Sequence, residues 1–197
     1  MKSLLLLAGL GLVSQAQGQS ACPADDPVFA VMAPGFSCTL ADKTFSGFDI
    51  VGAPAGARVQ FGQLGPLFAI TLSRDGEFFT ASRLLFDYTV TATAPMTIRE
   101  GSVGVDVSFP TVITSASMNG MLLPTIVNGG TQIMTFTPGV GSVKVDDTVR
   151  IASGTSELNS ISNDFSQVIV GIPETDTLSL AALGGIGLLW VSRRRPK

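Results

Sequence analysis

The chain has 197 residues, with 15 acidic and 12 basic side chains, two cysteines and no histidine. The missing histidine removes the usual general base at neutral pH and the commonest metal ligand. Residues 21–171, between two apolar ends, hold 13 acidic and 7 basic side chains, a formal charge of −6; this balance argues against nucleic acid as a partner, because phosphate binding needs Lys and Arg to displace counterions.

The chain opens with Met1-Lys2-Ser3, then an unbroken apolar and glycine run from Leu4 to Val13. Ser14-Gln15-Ala16 and Ala16-Gln17-Gly18 follow, placing small residues where a signal peptidase reads. The run is too short to span a bilayer as a helix. Residues 1–20 are therefore expected to be a secretory signal peptide, taken up by the secretion translocon and cut by signal peptidase. Lipidation of Cys22 is disfavoured, since Gln19-Ser20-Ala21 lacks the large apolar residue expected three places earlier. In an exported chain Cys22 and Cys38 read as one disulfide. Its closed loop is short, so the chain-entropy gain is about 3 kcal/mol. Two free buried thiols are the alternative.

Residues 21–171 form one domain-sized body, rich in Thr, Ser and Val and punctuated by Gly and Pro. Lys43–Val51 carries Phe45, Phe48 and Ile50 as the first expected strand. Arg58–Phe61 puts Val59 and Phe61 on one face, and Phe68–Leu72 does the same with Phe68, Ile70 and Leu72. Leu84, Phe86, Tyr88 and Val90 alternate with Leu85, Asp87 and Thr89, the cleanest period of two in the chain. Val103, Val105 and Val107 alternate next. Thr131–Thr137, Ser142–Val145, Thr148–Ala152 and Gln167–Val170 complete the set. Breaks are expected at Gly52–Gly56, Asp75-Gly76, Asn119-Gly120, Asn128-Gly129-Gly130, Pro138-Gly139 and Asp146-Asp147. The fold class expected is all-β: an antiparallel β-sandwich of roughly eight to ten strands, with a jelly roll as one form of it.

No nucleophile constellation is present in the body. It has no Gly-x-Ser-x-Gly elbow, a Ser–His pair is impossible, and no phosphate-cradling glycine loop occurs. Asp87, Asp106, Glu77 and Glu100 are the carboxylates that a two-acid hydrolase would have to draw on. Asp25-Asp26 and Asp146-Asp147 could each offer oxygens to calcium, but neither has regular loop spacing. Sugar-binding sandwiches use exposed aromatic platforms, and Phe78-Phe79 is the one candidate patch, with a buried hairpin Phe as the simpler reading. No catalytic residue, metal site or cofactor is expected.

The C-terminus has three parts in order. Ile172-Pro173-Glu174-Thr175 is a polar break, Leu178–Val191 is apolar apart from small residues, and Arg193-Arg194-Arg195 is a basic block. A helix over Leu178–Ser192 would reach about 22 Å, short of the roughly 30 Å hydrocarbon core, so the arginines would snorkel or the bilayer thin. The arginines stay cytoplasmic by the positive-inside rule, leaving the body outside. Trp190 suits an interfacial anchor.

This layout resembles the PEP-CTERM sorting signal over residues 172–197, with Ile172 for the usual Val and Thr175 for the second Pro. The resemblance implies recognition and processing by an exosortase, a membrane-embedded transpeptidase-like enzyme. Residues 38–48, Cys-Thr-Leu-Ala-Asp-Lys-Thr-Phe-Ser-Gly-Phe, resemble the start of a group of exported PEP-CTERM proteins of this size. What is expected is therefore a signal peptide over 1–20, a β-sandwich over 21–171, and a sorting tail with one short transmembrane helix over 172–197. The precursor is expected in the inner membrane, and the mature protein in the envelope, at the cell surface or outside the cell. The expected role is a non-enzymatic structural or adhesive one, in contact with extracellular polysaccharide. The alternatives are a carbohydrate-binding module or a two-carboxylate hydrolase.

Overall fold

The computed structural model describes residues 20–74, 79, 82–108, 112–152 and 157–169. Strands take 74% of these residues and helix 3%, which rules out a helical body. In chain order the elements are β1 Ser20–Ala21, β2 Asp25–Pro27, α1 Val28–Val31, β3 Ser37–Leu40, β4 Lys43–Val51, β5 Ala57–Leu64, β6 Leu67–Arg74, β7 Arg83–Ala92, β8 Met96–Val107, β9 Val112–Met118, β10 Met121–Leu122, β11 Ile126–Val127, β12 Gly130–Val140, β13 Ser142–Ile151 and β14 Leu158–Ile169.

One sheet runs β1-β3-β4-β7-β13-β9-β10, with β11 also on β9; the second runs β12-β8-β14-β6-β5-β2. Pairing is nested: β6 with β14, β7 with β13, β8 with β12, and β9 with β10 and β11, alternating between the sheets. β1 lies parallel to β3, which makes the first sheet mixed rather than purely antiparallel. The intervening stretch crosses to the other sheet as β2 and α1 before returning, so β1 and β3 run the same way.

Period-two alternation explains the core. Leu84, Phe86, Tyr88 and Val90 of β7 are all buried, as are Val59 and Phe61 of β5 and Phe68, Ile70 and Leu72 of β6. The sheets meet through rings. Phe45 lies edge-on to Phe61 at 5.4 Å, and Tyr88 edge-on to Phe165 at 6.4 Å. A side chain at Gly101 would run into the Met118 sulfur from the opposite sheet, so the Met118 side chain would have to move to admit one.

The three-residue spacing of Phe45 and Phe48 breaks a strict alternation, yet Phe45 is buried and Phe48 packs against the same core. A bulge reconciles them. Between the pairs Ser46↔Thr89 and Asp49↔Asp87, two residues of β4 oppose one of β7, and the first, Gly47, has φ of 65°. The extra residue flips the face, so Phe48 and Ile50 turn inward where Phe45 did before them.

Two expected breaks are strand instead. Asp146-Asp147 lies inside β13, where Val143, Val145, Asp147, Val149 and Ile151 all face inward. The inward alternation carries through the acidic pair and overrides its turn propensity. Pro138-Gly139 lies within β12, at an irregularity between Thr135 and Val140. Among the described residues β12 is an edge strand, where proline removes no ladder bond that the sheet needs. β9 was not expected, although Val112, Thr114, Ala116 and Met118 do alternate inward.

Among the described residues no helix is long and apolar enough to cross a membrane. The expected span Leu178–Val191 and the signal run Leu4–Val13 lie outside the described residues.

Candidate functional site

Cys22 and Cys38 form a disulfide, with Cα atoms 4.7 Å apart. The Cys22 amide also donates to the Thr39 carbonyl at 2.9 Å, continuing the β1–β3 pairing. The bridge pins the N-terminal segment to the edge of the first sheet, and no free cysteine remains among the described residues.

A concavity lies on the outer face of the second sheet. It is a shallow depression of about 290 Å³, whose lining includes Glu100, Ser102, Thr131, Ile133, Asp164 and Ser166. The register builds it: Asp164 stands opposite Ser102, and Ser166 opposite Glu100. Ser102 Oγ donates to Asp164 Oδ2 and Ser166 Oγ to Glu100 Oε2, each at 3.3 Å. Ser102, Thr131 and Ser166 line the depression beside Leu67 and Ile133, and two carboxylates accept hydrogen bonds across it. That arrangement suits a polyhydroxylated ligand held by hydrogen bonds. The stacking platform of a sugar site is supplied neither by Phe79 nor by Tyr88, both of which are buried; Phe78 lies outside the described residues.

Of the carboxylates expected for a hydrolase, the described ones, Asp87, Glu100 and Asp106, do not converge. Asp87 faces outward from the first sheet, while Glu100 and Asp106 face outward from the second. Glu100 and Asp106 share β8 and stand about 20 Å apart at 3.3 Å per residue. Glu77 lies outside the described residues. Asp106 accepts from Asn159 at 3.0 Å, an ordinary surface contact.

A second acidic group lies across the outer face of the first sheet. Asp49 is directly opposite Asp87, and Asp87 directly opposite Asp146. Burial, then the facing Asp146 and Asp49, raise the Asp87 carboxyl above its usual range, while a backbone hydrogen bond and Lys144 pull the other way. Lys144 pairs with Asp146. Among the described residues no group of three or more His, Cys, Asp or Glu is arranged to hold a metal ion. The acidic pairs do not act as units. Asp25 forms an ion pair with Arg58 at 2.5 Å, and Asp146 and Asp147, as strand neighbours, point to opposite faces.

The sequence reading missed an interior polar cluster. Asp147 of β13 is fully buried and accepts from Asn163 Nδ2 of β14 at 2.7 Å, across the two sheets. Asp147 Oδ1, Asn163 Oδ1 and the Tyr88 hydroxyl have no hydrogen-bond partner. Burial is the main cause that pushes the Asp147 carboxyl up to about 7, opposed by the Asn163 bond and reinforced by Asp87 and Asp146. Burial and the nearby Asp147 push the Tyr88 phenol well above its ordinary value. The signal was the alternation through β13, which places Asp147 among valines.

The sorting residues Ile172, Pro173, Glu174 and Thr175, and the basic anchor Arg193, Arg194 and Arg195, lie outside the described residues. No family model matches the chain, and no curated protein matches it.

Proposed function

We propose that this is an exported cell-surface or extracellular-matrix protein with a non-enzymatic structural or adhesive role, processed through its C-terminal tail by an exosortase-like enzyme. The observation that carries the reading is the tail itself: Pro173-Glu174, a short apolar run and three arginines in fixed order at the chain's end. The Cys22–Cys38 bridge supports export, because disulfides persist in oxidising compartments. We read the nested pairing as a jelly roll winding, a body with few free edges to misassociate. A second reading, binding of an extracellular polysaccharide, is favoured by the depression around Glu100 and Asp164, where Ser102 and Ser166 donate to the two carboxylates.

The parts of the tail have separate physical jobs. Pro173 lacks an N–H and disfavours helix at Ile172, which would favour a cleavable peptide ahead of the apolar run. The arginines fix direction and stop the tail from passing through. Changing Pro173 and Glu174 to Ala should leave the protein exported but uncut and held in the inner membrane. Replacing all three arginines with neutral residues should release uncut protein to the periplasm or medium. Fractionation with intact-mass measurement checks both. If both variants are distributed and processed like the wild type, the sorting reading fails.

A further inference from the structure

Lys43 is fully buried, unusual for a lysine. It opens β4 on the same face as Phe45, so the alternation points it into the body. Its Nζ donates to Asp42 Oδ2 at 2.5 Å and to Gln167 Oε1, and lies 4.6 Å from the centre of the Phe68 ring. Gln167 belongs to β14, in the opposite sheet and 124 residues later. An irregularity in the β8–β14 register falls between Ser166 and Gln167, where β8 holds the extra residue, Arg99; Gln167 follows Ile161, Asn163 and Phe165 in the same alternation along β14.

A buried ammonium needs a partner, and Asp42 alone would supply one. Gln167 adds something different: an amide carbon beside an amine, with a carboxylate within hydrogen-bond reach of that amine and an aromatic wall on another side. Those are the parts of an acyl transfer, with nucleophile, acyl group and proton carrier already gathered. Holding them in a folded core replaces a bimolecular encounter with a unimolecular one, the largest advantage open to a slow amide exchange.

We propose that Lys43 and Gln167 are joined by an intramolecular isopeptide bond that forms in the folded chain. One Nζ proton passes to Asp42, and the neutral amine attacks Cδ of Gln167. The Nζ–Cδ bond forms and the Cδ–Nε2 bond breaks. The proton held by Asp42 goes to the departing nitrogen, the attacking nitrogen gives up its second proton to Asp42 as the amide forms, and that proton leaves with the ammonia as ammonium. Nothing is oxidised or reduced, and no co-reactant is needed. The Asp42 side chain is 22% exposed, which gives the ammonia a way out beside it. β4 is the first long strand and β14 the last, so the bond clamps one sheet to the other near both ends of the body. The proposal is independent of how the tail is processed.

The test is tandem mass spectrometry of the mature protein, digested after denaturation and reduction. The expected result is a branched peptide joining the Lys43 and Gln167 segments, one ammonia lighter than their sum. Intact mass alone does not suffice, since cyclisation of an N-terminal Gln17 or Gln19 loses the same ammonia. Asp42→Asn keeps both partners in place and should sharply reduce the branched peptide; Lys43→Arg should abolish it. Recovery of wild-type Lys43 and Gln167 only in linear, unmodified peptides overturns the proposal, whatever the variants do. Full cross-linking in Asp42→Asn overturns the role given to Asp42.

Discussion

Phe86→Ala should destabilise the folded body by about 3–5 kcal/mol, as expected for truncating a fully buried aromatic residue. Phe86 sits in the middle of β7, itself between β4 and β13, and is 0% exposed. Ile50 and Asp147 are its direct cross-strand neighbours, and the Tyr88 ring lies 5.0 Å away. Strand pairing on both sides limits how far the backbone can collapse into the space left, so the cavity contribution stays large. The same truncation at Leu122, which is 79% exposed on the two-residue β10, should cost less than about 0.5 kcal/mol. Urea denaturation of both variants checks the contrast, with a lower midpoint and an unchanged slope for Phe86→Ala. A loss below about 1 kcal/mol at Phe86 would contradict its place in the core.

The second large effect is a loss of stability as pH rises. The Asp147 carboxyl is raised to about 7 in the folded protein, against roughly 3.9 in an unfolded chain. The folded state therefore holds a proton that the unfolded state gives up. The group's contribution is complete below about pH 4 and falls away as pH climbs through about 7, by an amount on the order of 4 kcal/mol. Asp147→Asn should remove this dependence while keeping an oxygen to accept the Asn163 bond. The variant should match the wild type near pH 4 and exceed it near pH 8. Comparing the two proteins at each pH cancels the titration of the surface acids. A wild type that gains stability over its Asn variant between those pH values would refute the buried, raised carboxyl.

Asp147 also shows where the sequence was legible and where it was not. β7 and the inward sets of β5 and β6 are regular alternations bounded by turns, so the residue pattern alone specifies them. Phe45 and Phe48 both pack into the core, but the bulge at Gly47 that makes this possible depends on how β4 pairs with β7. Asp146-Asp147 and Pro138-Gly139 are good turn sequences that tertiary pairing overrides. The small strands β1, β2, β10 and β11 are too short to show a period. The disulfide was expected from two cysteines in a chain read as exported, and the two sulfurs are bonded. The depression around Glu100, Ser102 and Asp164 was hidden because its residues come from separate strands and meet only through sheet register.

The central claim, export followed by cutting of the tail, is tested most directly by mapping both ends of the wild-type protein recovered from envelope and medium. Mass spectrometry should find an N-terminus between Gln17 and Ala21, and a C-terminus that has lost Arg193–Lys197 through cleavage at or near Pro173-Glu174. Mature protein that begins at Met1, or that still carries Arg193–Lys197, would contradict it.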